Sequence, residues 1–136
     1  MSSTVVQSSG KRKEAIARAV LKYPAKGEIK INKVPLEIYQ PEMSKLRIME
    51  VIEIINDDKV NKCNIDVYVK GGGIGGQTDA VRFAIARAIN KFLDSEKVEQ
   101  LLREYDDALL SGDFRRTEPK KFGGKKARAR RQKSFR

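Results

Sequence analysis

The chain has 136 residues, 29 of them Lys or Arg against 18 Asp or Glu, for a formal net charge of +11 at pH 7. The length fits one domain, and no stretch approaches the roughly 18 consecutive apolar residues of a membrane span. A single cysteine, Cys63, and the absence of histidine exclude an internal disulfide, offer no metal framework and weaken any acid–base enzyme reading.

Residues 1–4, Met-Ser-Ser-Thr, carry neither the charged nor the apolar region of a secretory signal, so the cytoplasm is the expected compartment. Residues 4–8 form a short strand candidate, and Gly10-Lys11-Arg12-Lys13 follows as a basic turn. In residues 15–23 the alanines favour helix, but Ile16, Arg18, Val20 and Lys22 alternate with Ala15, Ala17, Ala19 and Leu21, which predicts a strand. Pro24-Ala25-Lys26-Gly27 reads as a turn and residues 28–32 as a further strand, so the two are expected to pair as a hairpin. Pro41 suits the first turn of a helix, where its missing N–H costs nothing. From there Met43, Leu46, Met49, Ile52 and Ile55 recur at helical spacing, and Asn56-Asp57-Asp58 ends the run. Cys63, Ile65, Val67 and Val69 then alternate with Asn64, Asp66, Tyr68 and Lys70, the clearest strand pattern in the chain. Cys63 falls in the apolar row and reads as a small core residue.

A glycine loop, residues 71–76, leads into a helix with Val81, Ala84, Ile85, Ala88, Ile89 and Phe92 on one face. Arg87 and Lys91 fall on the opposite, wet face, where they either meet phosphate or, the favoured reading, are simply solvated. Ser95 is a candidate N-cap for a last helix, whose stripe is Val98, Leu101, Leu102, Tyr105 and Leu109 and whose stop is Ser111-Gly112-Asp113. Beyond it the apolar periodicity is lost. Residues 115–136 hold eleven Lys or Arg and one acid, Glu118, whereas residues 1–114 are nearly balanced, with eighteen basic and seventeen acidic residues. Two units are therefore expected: a folded body, 1–114, and an extended basic tail, 115–136. Such a tail resists collapse by self-repulsion and orders on a polyanion, nucleic acid first among them.

Two nucleotide-binding patterns lie close to the glycine loop. Gly71, Gly73 and Gly76 fit a dinucleotide fingerprint, with Asp94 downstream, and Gly71, Gly76 and Thr78 nearly fit a phosphate loop. The phosphate loop needs a lysine where this chain has the neutral Gln77. The dinucleotide fold needs a parallel strand soon after the helix, and here another amphipathic helix follows. What remains is a sharp turn, a close approach of another backbone, or phosphate attracted to a helix N-terminus. The adjacent acids Asp57-Asp58 and Asp106-Asp107 make no catalytic pair, because sequence neighbours point in different directions on a helix and Asp57-Asp58 sits in a turn-like stretch.

Gly71-Gly72-Gly73, Gly76-Gln77, Ala80 and Ala86-Arg87-Ala88-Ile89 resemble the signature of the family of small-subunit ribosomal protein nine. The stretch 10–18 resembles that family's opening strand, 31–39 its next characteristic segment, and 115–124 with 132–136 its C-terminus in the archaeal or eukaryotic form. Phe135 departs from the tyrosine commoner there. The resemblance implies a two-layer α/β (α+β) fold: a four-stranded mixed sheet with helices on one face, a left-handed βαβ crossover and a long extended basic tail. It implies a structural, non-enzymatic role in the small subunit, without cofactor, metal, membrane or obligate homo-oligomer. The implied partners are small-subunit rRNA in the 3′ head domain, neighbouring ribosomal proteins of the head, and peptidyl-site tRNA at its anticodon stem-loop. The rRNA-binding residues it implies are Lys11, Arg12, Lys13, Arg18, Gly72, Gly73, Gly76, Gln77, Arg115, Arg116, Lys120, Lys121, Lys125, Lys126, Arg128, Arg130 and Arg131. The tRNA contacts fall on Lys133, Ser134 and Arg136.

Charge alone supports a second reading, a sequence-indifferent packaging protein or chaperone, although such a protein has no need of an organised glycine loop. A third, a phosphotransferase built on the loop, is opposed by Gln77 and the absent histidine. An extended tail of 22 residues spans up to roughly 75 Å, more than the width of a small domain, so it can reach a site remote from its anchor.

Overall fold

A strand sends alternate side chains to opposite faces, and β2 (Ala15–Tyr23) uses that to divide core from solvent. Its residues Ala15, Ala17, Ala19 and Leu21 are buried, while Ile16, Arg18 and Lys22 are exposed. In the computed structural model, which describes residues 3–129, β2 joins β1 (Thr4–Arg12), β3 (Ile29–Ile31), β4 (Val34–Pro35) and β5 (Asn64–Lys70) in one mixed sheet of order β1-β2-β5-β3-β4. Among the described residues there are four α-helices: α1 (Glu42–Ile55), α2 (Ile74–Leu93), α3 (Glu96–Tyr105) and α4 (Ala108–Ser111). The architecture is mixed α+β, with α2 laid on β1, β2 and β5 and the other helices packed around it.

Three details differ from the sequence expectation. First, the sheet has five strands, not four. Val34–Pro35 adds a two-residue strand that pairs with Ile31 and Lys30 after a tight turn in which Asn32 and Lys33 have φ of 50° and 68°. No periodicity can announce so short an element. Second, β1 runs through Gly10-Lys11-Arg12, and the basic turn shrinks to Lys13 and Glu14, with Arg12 opposite Ala15. Third, β2 and β3 do not form a hairpin. β5 lies between them, antiparallel to β2 and parallel to β3. The side chain of Asn64 holds the crossing segment, accepting the backbone N–H of Gly27 at 3.0 Å and of Glu28 at 2.9 Å.

The helices also bury other faces than their simplest stripes foretell. In α1 the buried residues are Ser44, Ile48, Val51 and Ile55, whereas Met43 and Leu46 are 70% and 52% exposed. This helix is apolar almost all round, so its sequence leaves the rotation open. On the buried side, Ser44 Oγ and Thr78 Oγ1 of α2 lie 2.8 Å apart, within hydrogen-bond distance, beside the fully buried Ile48 and Val51. α2 is buried on nearly every side, including Ala80, Arg82, Phe83 and Ala86, because sheet and helices enclose it. Val98, Leu102 and Leu109 are buried as expected, but Leu101 and Tyr105 are exposed. The last stripe is broken at Asp106, whose carboxylate accepts the Ala108 N–H at 3.0 Å and starts α4 separately. Ser95 stands at the N-cap of α3 without a side-chain cap bond.

Candidate nucleic-acid interface

The glycine loop owes its composition first to packing. Gly71 and Gly72 have φ of 86° and 68°, which L side chains rarely adopt. A Cβ on Gly71 would lie 2.5 Å from the carbonyl oxygen of Glu14, and one on Gly72 3.1 Å from the N of Ala15. The loop therefore rests on the tip of the β1–β2 hairpin. Gln77 closes it, donating from Nε2 to the Gly71 carbonyl at 3.2 Å. Gly73, the N-cap of α2, has nothing within 4 Å of its would-be Cβ, and neither does Gly75. The outer side of the loop is thus open to a second backbone, and no side chain caps the start of α2.

The same end of the sheet holds the other basic segments. Lys11, Lys13 and Arg18 of the hairpin are exposed, and none of them is in an ion pair among the described residues. Arg12 behaves differently. Its side chain is only 13% exposed, and it sits 3.0 Å from Asp113, 3.7 Å from Asp79 and 3.1 Å from the Arg115 carbonyl, to which it donates. Arg12 is therefore engaged in tying the base of the tail to β1. Asp79 also meets Arg47 at 3.1 Å and Arg82 at 3.7 Å, and Arg82 reaches Glu50 at 3.8 Å. This cluster joins β1, α1, α2 and the tail. Within it only the i,i+3 pair of Asp79 and Arg82 is visible in the sequence, since the remaining partners come from distant elements.

Arg87 is not simply solvated. Arg87 donates to the Leu110 carbonyl at 2.9 Å and to the Ser9 carbonyl at 2.9 Å, and Lys91 approaches the Gln7 carbonyl at 3.5 Å. Arg87 fastens β1 and α4 to α2. The expectation of a wet face fails for Arg87, because β1 and α4 cover that side of the helix, and holds for Lys91, which is exposed.

From Gly112 to residue 129 no further helix or strand forms, and every basic residue of 115–128 is exposed. Arg115 forks onto Asp113, with contacts of 2.8 and 3.1 Å. Its hydrogen bonds, side-chain first, with added charge from Arg12, hold the Asp113 carboxyl down at about 2. The same partnership raises Arg115. Glu118 receives Lys121 at 2.6 Å and Arg128 at 3.0 Å, and these bonds, Lys121's first, lower its pKa. Arg116, Lys120, Lys125 and Lys126 make no ion pair among the described residues. Arg130, Arg131, Lys133, Ser134 and Arg136 lie outside the described residues.

The structure thus brings hairpin, glycine loop and tail base to one end of the sheet. Residues the motif reading passed over include Lys22, Lys30 and Lys70. Their signal was present in the polar positions of alternating strands. No cluster of three or more metal-ligating side chains occurs among the described residues, and none of their helices is long and apolar enough to cross a membrane.

A mixed α+β body that gathers exposed cations on its hairpin and tail suits a protein that binds a polyanion. Residues 10–136 match the family model described as ribosomal protein S9/S16. The chain is 50% identical over 132 residues to the small ribosomal subunit protein uS9 of Desulfurococcus amylolyticus, covering 97% of this chain and 93% of the relative. The uS9 of Methanothrix thermoacetophila is 48% identical over 97% of this chain and 98% of its own. That of Halobacterium salinarum is 43% identical, over 97% and 99%. The chain belongs to the ribosomal protein S9/S16 family, and so to structural, non-enzymatic proteins of the cytoplasmic ribosome.

Proposed function

We propose that the protein is a structural constituent of the head of the small ribosomal subunit, anchored by its body to the 3′ domain of the rRNA. The observation that carries this reading is the convergence of the hairpin tip, the open glycine loop and the tail base. Lys11, Lys13, Arg18, Gly72, Gly73, Gly76 and Gln77 form the body's rRNA contact. Arg12 acts by holding Arg115 in place. Residues 115–136 form a distinct arm that follows phosphates through Arg116, Lys120, Lys121, Lys125, Lys126, Arg128, Arg130 and Arg131. Arginine supplies planar bidentate contacts to phosphate and stacks on bases.

The arm's end, at Lys133, Ser134 and Arg136, touches the anticodon stem-loop of peptidyl-site tRNA. The family membership and the reach of an extended tail support this. Hydroxyl-radical footprinting of reconstituted small-subunit rRNA tests the anchor, with the full chain and with a chain ending at residue 114. The reading expects a local footprint in the 3′ domain, with tail-dependent protections toward the peptidyl site. Diffuse protection that vanishes with the tail would favour the packaging reading instead. Removal of residues 129–136 leaves assembly intact and weakens tRNA retention. Unchanged tRNA affinity would refute the assignment of the last residues.

A further inference from the structure

The sheet has a second face that no part of the described chain covers. Strand register places Lys11, Ile16 and Lys70 side by side across β1, β2 and β5, then Ser9, Arg18 and Tyr68, then Gln7, Val20, Asp66 and Lys30, then Val5, Lys22 and Asn64. Tyr68 is 53% exposed and stands beside Arg18. Ile16 and Val5 are also open, at 46% and 55%. Lys30 is engaged by Glu28 at 3.6 Å, whereas Lys11, Arg18, Lys22 and Lys70 make no ion pair among the described residues. Asp66 is the one acid within these rows. At the edge of the face, Lys30, Lys33, Asp66, Val67 and Tyr68 line a hollow of about 320 Å³.

We infer that this open face is a platform for unpaired RNA, with a base stacked on Tyr68 and phosphates on Lys11, Arg18, Lys22 and Lys70. The inference rests on the ribosomal reading and extends the contact already given to Lys11 and Arg18 across the open sheet face, to Tyr68, Lys22 and Lys70. Charge selects the occupant. Four free cations around one exposed ring suit a polyanion whose bases present π-faces, and Arg18 beside the ring adds to the stack. A protein partner burying this face would leave four cations to be neutralised one by one. A duplex is disfavoured because its bases are already stacked and cannot reach the ring. The outer surface of α3 offers an internal contrast: Glu96, Glu99 and Glu104 line a shallow depression there with Arg103, which Glu99 holds at 2.6 Å, so the depression keeps a net negative charge unfavourable to phosphate.

Two experiments on the full chain decide it. An iron chelate that generates hydroxyl radicals is tethered at Gln7→Cys on the platform, or at Gln100→Cys on α3, in a Cys63→Ala background. Each protein is then built into small subunits. Sedimentation with the subunit reports on the ribosomal reading by itself. With incorporation established, strong rRNA cleavage from position 7 and little from position 100 supports the platform. Equal cleavage from both, or none from position 7, overturns it. In parallel, binding of a fluorescent single-stranded oligouridylate is measured at fixed salt. Tyr68→Ala weakens it about tenfold, and Tyr68→Phe, which keeps the ring, stays close to the parent. Because Tyr68 points to solvent, both variants retain the urea midpoint of the parent. Parental affinity in Tyr68→Ala, or equal loss in both variants, overturns the stacking role.

Discussion

Gly10 and Gly73 are both glycines beside α2, yet they answer to different demands. A Cβ on Gly10 would meet the Ala80 carbonyl oxygen and lie 2.6 Å from the Ala84 N and 2.9 Å from Phe83 Cβ. Two of those atoms are helix backbone and cannot swing away. Gly10→Ala therefore forces β1 off α2 and lowers unfolding free energy by about 3 kcal/mol. Gly73, at φ −99° with open space around it, takes an alanine with a change below about 1 kcal/mol. Urea unfolding of the two variants checks the contrast, and comparable losses would mean that β1 yields more than its packing implies. Cys63 shows the same dependence on surroundings. It is 1% exposed and donates to the Lys59 carbonyl at 3.0 Å, and burial, then the charge of Asp57, pushes its thiol up to about 11. A neutral, covered thiol is a poor nucleophile. At pH 8 the native protein resists alkylation, and unfolding in urea restores the full rate. Rapid labelling of native protein would contradict the buried placement.

The elements were legible where periodicity alone decides them. β2 and β5 alternate cleanly and both lie in the sheet, and in β5 the expected apolar row, Ile65, Val67 and Val69, faces inward. The resemblance carried the family and the mixed α+β class and singled out the glycine loop, but the hairpin expected from the sequence was β2 with β3, and the one that meets the loop is β1 with β2. Partners across distance were not legible: α1 is apolar on more than one side, and what it packs on selects Ser44, Ile48, Val51 and Ile55 as its buried face, while β5 lies between β2 and β3, where the Asn64 side chain holds Gly27 and Glu28. Nor could spacing show that Arg12 and Arg87 spend their charge inside the protein. Arg87 joins α2 to both β1 and α4, so Arg87→Ala removes two charge-assisted bonds and leaves the Leu110 and Ser9 carbonyls short of partners. A loss on the order of 2–4 kcal/mol is expected, with hydrogen exchange rising first in α4. Uniform exchange throughout the protein would argue against this local fastening. The tail's attachment carries a pH dependence of known sign. Because the folded pKa of Asp113 is depressed, to about 2, its contribution is present above the ordinary carboxylate value, about 4. It fades as pH falls from there through about 2. The stability difference between the parent and Asp113→Asn should be constant at neutral pH and close within that window. A difference unaltered down to pH 2 would exclude the ionic link.

Across the whole molecule, charge is sorted rather than spread. The balanced body carries free cations on the hairpin tip and the open sheet face, three glutamates outnumber the two cations on α3, and the tail supplies most of the excess. Within the tail, the single acid Glu118 neutralises part of that excess by holding Lys121 and Arg128. That arrangement sets an internal competition, since a phosphate must replace Glu118 before it can use either cation. Exposed pairs of this kind are weak because water screens them, so RNA displaces them at small cost while they limit stray contacts of the free tail. Glu118→Gln removes the competitor. Its affinity for small-subunit rRNA should rise by a few-fold at low salt, and its salt dependence should steepen if both released cations reach phosphate. Lys125→Gln with Lys126→Gln works in the opposite sense. These two lysines make no ion pair among the described residues, so each lost phosphate contact should flatten the slope of log affinity against log salt by roughly 0.7–0.9. Titration of both proteins against the same rRNA fragment across a salt series separates the effects. Parallel slopes for the parent and the double lysine variant would place these two residues away from phosphate, and would move the tail's electrostatic contact elsewhere along the arm.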